Sequence, residues 1–349
     1  MKNERFWQPL IETLLHYLGF RQTLAYLSTC KDYRCERKWL IEHHALVDYD
    51  NVDQFGSDML IKHQSTVIDS LHFLWALPML FGFSMRLPAT LTYLTFGDRF
   101  NESLDHVTLP PLLTHLNFGR DFDQALDNVK LPATLLHLTL GYKFNRSLAS
   151  VTLPPKLKQL DFGNCFDQPL HDTSLPTTLR RLRFGFWFNQ PLKNVELPPK
   201  LTHLTFDYLF NQPLDNVQLP STLTHLTFGW SFNRPLDNTP LPSTLTELTF
   251  GNDFNHPLTN VRLPSSLQRL EFGCFFNQSF DNVALPSTLE ILVFGYLFHQ
   301  PLHEVTVPPK LKQLVLWKHY SKSLPTKWVR LLSWKYFSCE MVPETRSFN

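Results

Sequence analysis

Leu-Pro pairs punctuate the chain at Leu87, Leu109, Leu131, Leu153, Leu175, Leu197, Leu219, Leu241, Leu263 and Leu285, and Val307-Pro308 extends the series. Consecutive pairs lie 22 residues apart without insertion, so one unit is repeated eleven times. Counted from that Leu, the unit reads L-P-x-x-L-x-x-L-x-F-G-x-x-F-N-Q-P-L-x-N-V-x. Positions 5 to 10, such as Leu223 to Phe228, end in alternation, with Thr between apolar residues. That pattern predicts a short strand with positions 8 and 10 facing inward and positions 7 and 9 facing out.

The rest of the unit predicts an irregular return. Pro at positions 2 and 17 blocks a regular helix. Gly at position 11, as in Gly229 and Gly251, fits either a turn needing positive φ or close packing of neighbouring coils. One coil cannot bury its apolar side alone, whereas stacked coils share a continuous core. Leu, Leu, Phe, Phe and Leu at positions 5, 8, 10, 14 and 18 would form it. Asn at position 15 is expected to hydrogen-bond the turn backbone from coil to coil. Asp123 and Asp167 can still accept such bonds, and His299 and Ser321 mark decay of the column.

The fold class is therefore a mainly β repeat solenoid of parallel strands, with 22-residue coils, a non-helical return and a small helical N-terminal segment. Four stretches follow: a helical segment at 1–50, a linker and degenerate capping coil at 51–86, the solenoid at 87–325, and a C-terminal cap and tail at 326–349. Ile68, Leu71 and Phe73 repeat the strand spacing one residue out of register, which marks the capping coil.

The columns Phe188-Asn189-Gln190-Pro191-Leu192 and Phe210-Asn211-Gln212-Pro213-Leu214 resemble the FNIP repeat, a relative of the leucine-rich repeat. The resemblance covers about two thirds of the chain and implies a binding scaffold. Near the N-terminus, Leu14, Leu15, Leu18, Leu24, Cys30, Lys31, Tyr33 and Arg34 have the spacing of an F-box. Phe6-Trp7 stand where that family has Leu-Pro. This second resemblance implies docking to the adaptor subunit of a cullin–RING ubiquitin ligase, with Leu14, Leu15, Leu18 and Leu24 among the contacts. A plain helical cap for the solenoid fits the same residues.

Composition narrows the function classes. Thirty-two Lys and Arg nearly cancel 31 Asp and Glu, so a field strong enough to hold phosphate backbones is not indicated. The five cysteines are scattered and odd in number, which reads as a reducing, cytoplasmic or nucleocytoplasmic setting without a disulfide framework. No apolar run suits a membrane span, and Met1 to Leu10 lacks the apolar core of a signal peptide. The Asn-x-Ser triplets at Asn101, Asn145 and Asn277 arise where Ser replaces the unit's Pro and read as repeat residues, not glycan acceptors.

Chemistry is sparse. Phosphate-binding, zinc-hydrolase and nucleophile-elbow motifs are absent from the sequence, which reads as non-enzymatic and without cofactor or metal. His115, His137, His203 and His225 form an outward column at position 7. Pairs of histidines without a carboxylate or Cys ligand make a poor metal site, so they read as a solvated ladder. The better candidate lies in the middle coils: Arg181, Arg183 and His203 outward, with Phe186, Trp187, Tyr208 and Trp230 just past the strands. Aromatics beside Arg have the composition of a protein-binding hot spot. Packing of those aromatics on neighbouring coils fits equally. The expectation is a non-catalytic adaptor that takes a protein client on the solenoid and recruits the ligase through residues 1–50, with an unlinked interaction solenoid as the alternative.

Overall fold

Most repeats fold as one coil with a three-residue strand and three tight turns. In the computed structural model, residues 87 and 89–335 are described, together with two strand segments at 45–47 and 70–73. The chain divides into two compact units, Met1–Gly163 and Asn164–Asn349. The first holds β1 (Ala45–Val47), β2 (Ser70–Phe73), β3 (Tyr93–Thr95), β4 (His115–Asn117), β5 (His137–Thr139) and β6 (Gln159–Asp161). Within it each strand pairs in parallel with the next.

The second unit holds β7 (Arg181–Arg183), β8 (His203–Thr205), β9 (His225–Thr227), β10 (Glu247–Thr249), β11 (Arg269–Glu271), β12 (Ile291–Val293), β13 (Gln313–Trp317), the short helix α1 (Thr326–Val329) and β14 (Leu332–Lys335). These strands are again parallel in sequence order. Register follows the repeat, with Leu204 opposite Leu226 and Leu248 opposite Leu270.

From β3 to β12 the strands occupy only positions 7 to 9, shorter than the alternation predicts, whereas β13 runs on to position 11. Two turns trim them. A turn closed by the Leu223 N–H on the Pro220 carbonyl (3.0 Å) ends just before, and a turn closed by Phe232 on Gly229 (3.3 Å) begins just after. A third turn joins positions 18 and 21, as where the Val195 N–H meets the Leu192 carbonyl at 3.0 Å. Three corners in 22 residues leave no room for a helical return.

Positions 5, 8, 10, 14 and 18 are buried, as in Leu201, Leu204, Phe206, Phe210 and Leu214, with half-buried Leu324 of the last coil as the exception. Burial of each such side chain is worth about 1.5–3 kcal/mol. The Phe rings stack in files: Phe188, Phe210, Phe232 and Phe254 follow one another at 6.0–6.2 Å between centroids, with nearly parallel planes. Tyr320 ends this file over Phe298, and its hydroxyl donates to the Gln300 carbonyl at 2.9 Å. Burial pushes the Tyr320 phenol up to about 12.

Polar columns hold the coils edge to edge. The position-15 oxygen accepts the backbone N–H of position 15 in the next coil: Asn189 from Asn211, Asn211 from Asn233, and Asn277 from His299. Asp123 and Asp167 accept in the same way, both at 2.9 Å, because the bond needs only an oxygen. Position 16 donates back: Gln212 to the Asn189 side chain, Arg234 to the Asn211 carbonyl. Position-4 hydroxyls such as Thr222 and Thr244 reach carbonyls of the preceding coil.

The Gly column answers to packing, not to φ. A Cβ added at Gly251 would lie 1.5 Å from the Gly229 carbonyl oxygen, and at Gly163 it would lie 1.6 Å from that of Gly141. Positive φ occurs instead at position 20, at Asn194, Asn216 and Asn282, where Asn tolerates the left-handed region.

At the N-terminal side, Leu71 stands opposite Leu94, so the capping coil joins the sheet despite its one-residue offset. β1 adds a strand within the segment expected to be helical. At the C-terminal side β14 pairs with β13 after a shorter step, and Trp328 of α1 is fully buried. Leu14, Leu15, Leu18 and Leu24 lie outside the described residues.

Candidate functional site

The Leu, Phe, Asn and Gly columns are taken up by coil stacking, and the candidate residues, themselves exposed or half-buried, lie among the variable positions 6, 7, 9, 12 and 13. In the second unit these positions bring the predicted residues onto neighbouring coils. Arg181 and Arg183 flank buried Leu182 on β7 and are both exposed. His203 stands directly opposite Arg181, and His225 opposite His203.

The aromatics take two different environments. Phe186 stacks on Tyr208 at 4.4 Å, and Tyr208 on Trp230 at 5.3 Å. These three are half-buried, and the file is capped where the Trp230 side chain bonds the Asp253 carboxyl. That bond pulls the Asp253 carboxyl down, but burial outweighs it and raises it above the ordinary carboxylate range. Trp187 is different: it is tilted 56° from Phe186 and half of it is exposed. Backbone bonds between coils set the turn that presents it, with the Trp187 N–H on the Asn164 carbonyl at 2.8 Å.

Three partners went unnoticed in the sequence. Arg180 is exposed beside Arg181. Asp207, which takes a Gly position, contacts Arg183 at 3.4 Å. Asp253 closes the aromatic file. The run Leu179-Arg180-Arg181-Leu182-Arg183 was a visible signal for the first; the other two depend on which coils touch.

The histidine column resolves into stacked pairs, His115 on His137 at 4.3 Å and His203 on His225 at 4.1 Å. Thr202 donates its hydroxyl to the Arg180 carbonyl at 3.0 Å, so the His203 Nδ1–H must donate to Thr202 Oγ1, 2.9 Å away. Thr114 fixes His115 in the same tautomer, leaving its Nε2 to accept from the Tyr93 hydroxyl at 2.9 Å. Burial first, then the neighbouring His137, holds His115 below the ordinary histidine range. His203 is held down by burial, then by His225 and Arg181, against an opposing pull from Glu247. The pairs stack ring on ring, and two imidazoles without a further ligand make a poor metal site. Among the described residues, no group of three or more His, Cys, Asp and Glu side chains is placed to hold one.

Coil length, parallel strands and the near absence of helix among the described residues define a parallel β-solenoid of the leucine-rich-repeat type. It resembles protein-interaction scaffolds of that type, folds that are generally non-catalytic. The FNIP Repeat pattern matches residues 100–143, 144–186, 188–231, 232–275 and 276–319. The chain belongs to the FNIP repeat family.

Among solved structures, CroV588, a circular leucine-rich-repeat protein, is 41% identical with a TM-score of 0.68. The match takes in 77% of this chain but only 40% of that one, so this chain spans well under half of CroV588. YopM from Yersinia enterocolitica is 20% identical over 71% of this chain and 57% of its own, with a TM-score of 0.39. The internalin InlF from Listeria monocytogenes is 13% identical over 71% and 81%, with a TM-score of 0.45. A search of curated proteins finds no match. No helix among the described residues is long and apolar enough to cross a membrane.

Proposed function

We propose that the chain is a non-catalytic protein-binding scaffold that seats a protein client on the second unit, around Arg181, Arg183, Phe186, Trp187, His203, Tyr208 and Trp230. The observation that carries this reading is Trp187, half exposed on a hydrogen-bonded turn that follows the strand bearing exposed Arg181 and Arg183. Large aromatic and Arg side chains dominate binding energy at protein interfaces. The file Phe186–Tyr208–Trp230 gives Trp187 a stiff backing, which lowers the ordering cost of binding.

The finer half of the proposal concerns residues 1–50. Leu14, Leu15, Leu18 and Leu24 dock the adaptor subunit of a cullin–RING ubiquitin ligase, and the sequence spacing alone supports this. A client held on the solenoid would then meet the transfer machinery at raised effective concentration. The alternative is an interaction solenoid without a ligase link.

Affinity purification with three full-length forms tests both halves. Trp187→Ala with Tyr208→Ala is expected to lose clients and keep the ligase adaptor. Leu15→Asp with Leu18→Asp is expected to lose the adaptor and keep clients. Client recovery unchanged by the first pair would sink the patch; an adaptor never recovered with any form would leave the unlinked solenoid.

A further inference from the structure

We infer that the client seat takes an extended acidic segment, with carboxylates at alternate residues on Arg181 and Arg183 and an apolar side chain beyond them on Trp187. The inference rests on the protein-binding reading above and names the chemistry of the partner.

Spacing is the first argument. Arg181 and Arg183 flank buried Leu182 and project from the same face of β7. Side chains two residues apart on a strand repeat at about 6.6 Å. Any extended peptide presents its own alternate side chains at that same interval. Trp187 follows four residues after Arg183, past the end of the strand, so an apolar anchor belongs after the acidic pair in a segment running along β7.

Charge is the second. A guanidinium stays ionised at any physiological pH and matches a carboxylate as a two-pronged donor. Among the described residues, Arg180 and Arg181 have no ion-pair partner. Arg183 has only the 3.4 Å contact to Asp207, with 60% of its side chain exposed. The chain as a whole is nearly neutral at +1, so this positive charge is local. His203 is held below the ordinary histidine range, and at neutral pH the arginines act alone.

Nucleic acid fits the seat less well. Base stacking needs open aromatic faces, and those of Phe186, Tyr208 and Trp230 are turned on one another, leaving only Trp187.

Fluorescence anisotropy on the full chain tests the inference, using a labelled peptide with Glu at alternate positions followed by Phe. Peptides with Lys or Gln in place of Glu, one with the Glu residues contiguous, and an oligouridine serve as comparisons. The alternating Glu peptide is expected to bind best and to weaken as salt rises. Arg181→Glu and Arg181→Gln should each weaken it about tenfold or more, and Trp187→Ala similarly. Circular dichroism and the unfolding midpoint confirm that these surface variants stay folded.

Equal binding of the Lys or contiguous-Glu peptide, indifference to Arg181, or preference for oligouridine would overturn the acidic-segment assignment. If proteins captured from lysate are lost with Trp187→Ala and Tyr208→Ala while acidic peptides show no preference, the scaffold reading stands and this one falls.

Discussion

The side-chain oxygen of Asn189 accepts the backbone N–H of Asn211 at 2.9 Å, and Asn211 accepts that of Asn233 at 3.0 Å. Each Asn thus satisfies a backbone donor that the strands do not reach. Asn211→Ala leaves the Asn233 N–H without its partner and should cost about 1–3 kcal/mol. Asn211→Asp keeps the acceptor, as Asp167 does for Asn189, and should cost clearly less. Urea unfolding of the two variants distinguishes them; equal losses would mean that the column does something other than accept this bond.

The Gly column sets how closely coils approach. Alanine at Gly251 would put Cβ 1.5 Å from the Gly229 carbonyl oxygen, a backbone atom that cannot swing aside. Overpacking costs about 1–3 kcal/mol even where side chains give way, so Gly251→Ala should fall at or beyond the upper end. The measurement is the unfolding midpoint and soluble yield. A variant as stable as the parent would show that the coils separate more easily than this contact implies.

Position 21 carries Val in most coils but Thr at Thr173 and Thr239. Both are buried, and both hydroxyl oxygens lack a hydrogen-bond partner. Thr239→Val removes that unpaired group at nearly constant shape and should stabilise the protein by about 1 kcal/mol. A lower urea midpoint in the variant would show that the hydroxyl has a partner.

Acid should destabilise the solenoid through its stacked histidines. His115 and His203 are held below 6.5, chiefly by burial. Because the unfolded chain binds the proton more readily, the stability they contribute is present above pH 6.5 and is lost as pH falls through their folded values. The urea midpoint should therefore drop between pH 7.5 and pH 5. His115→Gln with His203→Gln should flatten that slope; an unchanged slope would assign it to other groups.

The sequence by itself determined the coil. Its period, its parallel strands, the five buried columns and the hydrogen-bonding role of Asn101, Asn189 and Asn211 all follow from a pattern repeated at constant spacing, since each coil must bury the same stripe against its neighbour. Local chemistry is enough there because every copy answers to the same contacts.

Tertiary structure decided what depends on which coils touch. Gly251 could have meant positive φ; the Gly229 carbonyl beneath it makes the reason close packing. Left-handed backbone fell to Asn194 and Asn216 instead. The sequence left the aromatic positions open between exposure and packing, and stacking separates buried-edge Phe186 and Tyr208 from open Trp187. Asp207 beside Arg183 and Asp253 beside Trp230 meet only across coils, about 22 residues away in sequence. A repeat read as a line shows its columns, but the neighbours of its variable positions exist only once the coils are stacked.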